Sequence, residues 1–195
     1  MKLSLLIYFL SLLIFVNSIV GGWKKGSFRE NDFGIDRAFR KAFELYQEEN
    51  SNSDIDFAER LTIYRQTANG INYRMCFIDL KSNLNVVQEY VISGPSFSAK
   101  NRDQTFSLFE KKTYRPNKGL INVSDSRFPR IQNTLFGSLK NTKENLLYIS
   151  KIEMVETYLD NFYIVTARTE EKEHIYAVGQ SKENTDQYEA LGMLK

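Results

Sequence analysis

One cysteine, Cys76, and one histidine, His174, are the whole supply of thiol and imidazole in this chain of 195 residues. A single thiol forms no internal bridge, so the fold must hold by packing alone. Cys76 falls in a stretch patterned as a strand and reads as a small, partly buried side chain. A Cys76–His174 thiol dyad would have to join strands from distant parts of the chain. His174 follows Glu170-Glu171-Lys172-Glu173 and reads as a solvated residue at a turn. That acidic cluster lacks the spacing of a calcium loop. No catalytic residue, metal site or cofactor is therefore expected, and the protein reads as a non-enzyme. Charge of one sign is scarce too. Lysine plus arginine number 26 against 24 acids, for a formal net charge of +2. No long basic run appears, so nothing favours nucleic acid. After the first 18 residues no segment is apolar enough to cross a membrane.

What is present begins with a leader. Met1 to Ser18 has one early lysine, then Leu3 to Val16 almost without polar interruption, and Val16-Asn17-Ser18 suits cleavage. This is the form of a secretory signal peptide. It predicts a mature chain starting Ile19-Val20-Gly21-Gly22, located outside the cell or in a lysosome-like compartment, with no membrane attachment after cleavage. Asn122-Val123-Ser124 is an N-glycosylation sequon, which makes Asn122 a candidate modification site.

The hydrophobic fraction of 42% is enough for a packed core. After an extended arm, Ile35, Ala38, Phe39, Ala42, Phe43 and Tyr46 recur at three- and four-residue steps. That stripe predicts a helix over about Phe33 to Glu48, capped by Asn31 or Asp32. Alternating runs predict strands at Leu61 to Arg65, Ile71 to Lys81, Leu84 to Ile92 and Thr105 to Lys111. Gln66-Thr67-Ala68-Asn69-Gly70 is the first hairpin tip, and Ser93-Gly94-Pro95-Ser96 is a second turn. An exposed first tip would accept Gly70→Glu with the fold intact. Such a sheet needs one covered face, and the amphipathic helix is the available cover.

The same order then recurs. Ser126 to Lys140 is helical in pattern, with Phe128, Ile131, Leu135 and Leu139 on one side and Pro129 tolerated in the first turn. Strands are expected at Leu146 to Val155, Asn161 to Thr169, His174 to Gly179 and Glu189 to Leu194. Asn161-Phe162-Tyr163-Ile164 echoes Asn72-Tyr73-Arg74-Met75. The reading is an α+β fold, one amphipathic helix on a four- to five-stranded antiparallel sheet, repeated twice. Pro116-Asn117-Lys118-Gly119 reads as a linker, dividing the mature chain into 19–113 and 114–195. A separate α+β fold for the second part is the alternative.

Three elements of the first repeat resemble a cystatin, the family of inhibitors of papain-like cysteine proteases. Gly21-Gly22-Trp23 matches its N-terminal glycine segment. Gln66-Thr67-Ala68-Asn69-Gly70 matches its Gln-x-Val-x-Gly loop, and Gly94-Pro95-Ser96 occupies the place of its Pro-Trp hairpin. Taken singly, each is an ordinary linker or turn signal; the resemblance rests on their order and spacing. It implies a cystatin-like fold and a monomeric, reversible inhibitor whose arm and two hairpin tips wedge into the protease cleft. Gly21, Gly22, Gln66, Thr67, Ala68, Asn69, Gly70, Gly94, Pro95 and Ser96 would then touch the protease. Two departures remove apolar contact: Ala68 replaces valine and Ser96 replaces tryptophan. At roughly 25 cal/mol per Å² of apolar surface, each loss weakens binding by about 1 to 2 kcal/mol.

The second repeat resembles the family in organisation only. Val155-Glu156-Thr157-Tyr158-Leu159 stands where the glutamine-glycine loop would be, and Gly179-Gln180-Ser181 where the proline turn would be. That half is expected not to inhibit papain-like proteases. The alternative for the whole protein is a binding module of the same fold, directed at another protease or an extracellular partner.

Overall fold

The computed structural model describes residues 22–27, 32–49, 60–68, 70–79, 85–95, 105–117, 119–140, 146–170 and 172–194. The leader, Gly21, Asn69 and Ser96 lie outside the described residues. Among the described residues nine strands and two helices follow one another. These are β1 (Lys24–Lys25), α1 (Phe33–Glu49), β2 (Arg60–Ala68), β3 (Gly70–Asp79), β4 (Val86–Ser93), β5 (Ser107–Tyr114), α2 (Phe128–Leu139), β6 (Leu146–Glu156), β7 (Asp160–Thr169), β8 (Glu173–Ser181) and β9 (Tyr188–Met193). They form a five-stranded sheet, β1-β2-β3-β4-β5, and a four-stranded sheet, β6-β7-β8-β9. The result is two similar α+β subdomains, each with one helix on an antiparallel sheet.

The first helix forms where its apolar stripe predicts. Ile35, Ala38, Phe39, Ala42 and Tyr46 are buried, and burying side chains of this size gives roughly 1.5 to 3 kcal/mol each for the larger ones. Phe43 is half-buried and stacks on Phe39 at 6.3 Å between ring centroids. Asp32 starts the helix. Its Oδ1 accepts hydrogen bonds from the backbone N–H of Gly34 at 2.8 Å and of Ile35 at 3.4 Å, satisfying two amides that the helix itself cannot. Its Oδ2 accepts from Arg65 Nη1 at 2.8 Å, so the cap also fixes the helix to β2. Gly34 leaves room for a sheet side chain: a Cβ there would overlap the Tyr73 hydroxyl.

The second helix buries Ile131 and Leu135, with Phe128 and Leu139 partly buried against the same cluster. Pro129 lies in its first turn as expected. Asp125 prepares that turn: its Oδ1 accepts from Arg127 N at 2.9 Å, and its carboxylate pairs with the Arg127 guanidinium at 2.6 Å. Those hydrogen bonds hold the Asp125 carboxyl at about 2, well below the usual carboxylate range.

The chain divides into two compact units. One comprises Met1–Asn52, Thr62–Met75 and Tyr90–Lys111, the other Ser53–Leu61, Cys76–Glu89 and Lys112–Lys195. In the second unit the four-stranded sheet is covered on both faces. Tyr163, Val165, Ala167, Tyr176 and Val178 pack beneath Ile131 and Leu135 of α2. The alternate residues Phe162, Ile164 and Ala177 pack with Val155, Leu61, Cys76, Ile78 and Val87. The helix covers one of these two faces. Thr62, Tyr64, Arg74, Cys76 and Ile78 are buried as well as Ile63, Tyr73, Met75 and Phe77. β4 is buried at every position from Val86 to Ile92, which is the pattern of a strand enclosed on two sides.

The segment expected as a linker is tied to β6. Asn117 N donates to Met154 O at 2.8 Å, Ile121 N donates to Ile152 O at 3.1 Å, and Leu120 bridges Glu153. Upstream of it, β5 runs on to Tyr114.

Candidate functional site

The β2–β3 hairpin is tighter than its sequence predicts. β2 continues through Gln66, Thr67 and Ala68, and β3 begins at Gly70, so one residue separates the strands. Thr67 is exposed, Gln66 and Ala68 are half-buried, and Gly70 is buried. Gly70 has φ of 134°, a conformation that side chains with a Cβ rarely adopt. A Cβ there would also stand 2.6 Å from the carbonyl oxygen of Pro95. The expectation of an exposed Gly70 is therefore corrected: the Gly94-Pro95 backbone covers it. Gly70→Glu is accordingly not a fold-neutral probe.

The turn after β4 rests on the same hairpin. Gly94 N donates to Ile71 O at 2.9 Å. A Cβ on Gly94 would meet that carbonyl oxygen at 2.8 Å and the Phe106 ring at 3.5 Å. Glycine is required here by close approach, as it is at position 70. Phe106 in turn lies against Tyr73, with 6.0 Å between ring centroids. Two of the three sequence-predicted segments are thus in backbone contact.

The third segment arrives through β1. Lys24 pairs with Arg65 and Lys25 with Tyr64, antiparallel, and Gly26 N donates to Ile63 O at 2.9 Å. Running backward along β1 from Lys24 leads toward the Gln66–Ala68 end of β2. Gly22 is exposed, and a Cβ there would meet none of the described residues within 4 Å, so none of them demands glycine at this position. Trp23 is half-buried, with the Arg74 guanidinium 4.9 Å above its ring, a cation–π contact. Arg74 also meets Glu110 at 3.3 Å. Sequence reasoning missed this cluster, although an arginine inside the apolar run Ile71 to Ile78 was the available signal.

The second unit builds its corresponding end differently. Three residues, Thr157 to Leu159, join β6 to β7. Thr157 N and Oγ1 both donate to Asp160 O, at 2.8 and 3.0 Å, and Asp160 N donates back to Thr157 Oγ1 at 3.2 Å. Tyr158 at the tip is 55% exposed. The loop after β8 closes on this turn, with Lys182 N donating to Leu159 O at 2.8 Å. Gly179, at the end of the expected strand, lies within β8, and so do Gln180 and Ser181, which align with the proline turn. Gln180 is buried: its Oε1 accepts from Tyr163 Oη at 2.7 Å and from Asn161 Nδ2 at 3.2 Å.

Cys76 and His174 do not meet. Cys76 packs in the cluster with Phe162 and Ala177. His174 faces the other side of that sheet, its ring 5.9 Å from Tyr176. His174 is buried, not solvated, because β8 starts one residue before it. Among the described residues no group of three His, Cys, Asp or Glu could hold a metal, and no helix is long and apolar enough to cross a membrane. Asn122 is exposed, and its Oδ1 accepts from Ser124 N at 3.0 Å and Ser124 Oγ at 2.6 Å. No protein-family model matches the chain, and no curated protein is similar to it.

Proposed function

We propose that this protein is an exported, reversible inhibitor of papain-like cysteine proteases with a cystatin-type fold, acting through its first α+β subdomain. One observation carries the reading. The hairpin at Gly70 and the turn at Gly94-Pro95 are in backbone contact, and β1 brings the N-terminal arm alongside the same hairpin. Three segments far apart in sequence thereby share one end of one sheet.

Such an end works without chemistry. The arm, Thr67 and Ala68 of the hairpin, and Pro95 of the turn form a ridge that fills a cleft and excludes substrate. Contact between hairpin and turn holds both tips in place before docking, which lowers the ordering cost of binding. A preorganised ridge needs only an interface of ordinary size, about 800 Å² per partner, to bind a protease tightly. Titrating papain with the purified chain tests the reading. Competitive inhibition that weakens on changing the exposed Thr67 to Asp supports it; no inhibition at micromolar protein overturns it.

A further inference from the structure

The sequon Asn122-Val123-Ser124 lies outside the segments assigned to protease binding. It is the only Asn-x-Ser/Thr triplet in the chain. The residues before it are rooted. Leu120 bridges Glu153, Ile121 N donates to Ile152 O at 3.1 Å, and the Ile121 side chain is buried with Ile131 and Leu135. The residues after it are rooted too. Asp125 N donates to Asn122 O at 3.0 Å, and Asp125 pairs with Arg127 at 2.6 Å ahead of α2. Between these anchors Asn122, Val123 and Ser124 are all exposed. The Asn122 carboxamide is bonded to the sequon's own serine: Oδ1 accepts from Ser124 Oγ at 2.6 Å and from Ser124 N at 3.0 Å. Both bonds fall on the oxygen, and neither uses the nitrogen, the atom a glycosyl donor must meet. Bonds that span two residues can form in the unfolded chain as well, so this presentation is available before and after folding. Val123 is 78% exposed and Leu120 59%, so apolar side chains flank the acceptor on both sides.

We propose that Asn122 is N-glycosylated in the secretory pathway and that the glycan covers Leu120 and Val123. The inference rests on the export half of the reading above and not on protease inhibition. The donor is a lipid diphosphate-linked oligosaccharide ending in N-acetylglucosamine, supplied with its transferase by the exporting cell. Asn122 Nδ2 attacks the anomeric carbon of that sugar. The C–N bond forms as the bond from that carbon to the diphosphate oxygen breaks. The lipid diphosphate leaves with the electron pair, and Nδ2 gives up one proton to a base of the transferase. The product is a bulky, hydrated group on an exposed turn. The fold accepts it unchanged, because the Asn122 side chain is exposed and Oδ1 keeps both of its bonds.

The test expresses the full-length chain with its own leader in insect cells, beside Asn122→Gln, Ser124→Ala and Ser124→Thr. Peptide N-glycosidase should lower the mass of the secreted parent by one glycan and leave an aspartate at position 122 in the tryptic peptide. Asn122→Gln and Ser124→Ala should lose that shift, whereas Ser124→Thr, which keeps the hydroxyl, should retain it. Variants that fail to leave the cell are read by the same shift in the cell extract. Asn122→Gln should also bind more of an apolar fluorescent dye than the glycosylated parent; equal binding would overturn the cover over Leu120 and Val123. A shift that persists in Asn122→Gln would place the glycan elsewhere and overturn the site. A secreted parent without a glycan would overturn the site and leave the export reading standing. A parent held unmodified in the cytosol would overturn both.

Discussion

The two subdomains place different chemistry at the same position in the same architecture. In the first, β2 and β3 are joined through one residue, and Gly70 and Gly94 let two backbones touch. In the second, three residues join β6 to β7, a threonine hydroxyl braces the turn, and an exposed tyrosine forms the tip. Both are closed by a hydrogen bond from the loop after the third long strand, Gly94 N to Ile71 O and Lys182 N to Leu159 O. The shared bond belongs to the fold. The glycines, the proline and the adjoining arm are particular to the first end, and any activity specific to it must reside in them.

That contrast can be broken in several places. The largest effect is expected at Gly70. Gly70→Ala imposes a strained φ and drives a methyl into the Pro95 carbonyl, so it should cost roughly 2 to 4 kcal/mol in urea unfolding and abolish papain inhibition. Gly192 has a similar φ of 131° but open space around it, so Gly192→Ala should cost only the strain, about 1 to 2 kcal/mol. Equal costs at the two positions would contradict the backbone contact. In the second end, Thr157→Val keeps the shape but leaves the Asp160 amide without its hydroxyl partner, with an expected loss of about 1 to 2 kcal/mol and no change in papain inhibition.

The pH dependence is a smaller effect and belongs to the second subdomain. Arg127 holds the folded Asp125 carboxyl at about 2, below its unfolded value. The stability this contributes is present above the unfolded value and is lost as pH falls through the folded one, between about pH 4 and pH 2. Urea midpoints measured across that window should fall less steeply for Asp125→Asn than for the parent. Smallest of all, Tyr158→Ala should change stability by less than about 0.5 kcal/mol and leave papain inhibition untouched. A tenfold loss of inhibition from Tyr158→Ala would erase the distinction between the two ends.

Elements whose burial follows a simple period were legible in the sequence. The stripe Ile35, Ala38, Phe39, Ala42 and Tyr46 set α1 to within a residue, and the alternating runs of β6 to β9 fell within two residues of their observed ends. The departures have physical causes. Gln66-Thr67-Ala68 reads as a loop because its residues are polar or small, yet pairing with neighbouring strands keeps the chain extended. Gly70 reads as an exposed tip because Asn-Gly is a turn signal; only the approach of Pro95, a long-range contact, buries it. Gln180 and Ser181 stand where the first repeat has its proline turn, yet β8 runs on through both. Gly179 lies in that strand as expected, where a Cβ would stand 3.2 Å from Leu191. His174 looks solvated beside four charged residues, but strand alternation turns it inward. At the candidate site the three segments were visible as motifs, whereas the Trp23–Arg74–Glu110 cluster required three strands to be brought together.

The central claim is that the Gly70, Pro95 and arm segments form one protease-blocking ridge. Steady-state titration of papain with the purified chain, alongside Thr67→Asp and a form lacking Ile19 to Trp23, tests it most directly. The account predicts competitive inhibition by the parent that is weakened by either change while the fold, judged by urea unfolding, is retained. Papain left fully active at micromolar parent protein, or inhibited equally by all three forms, would contradict it.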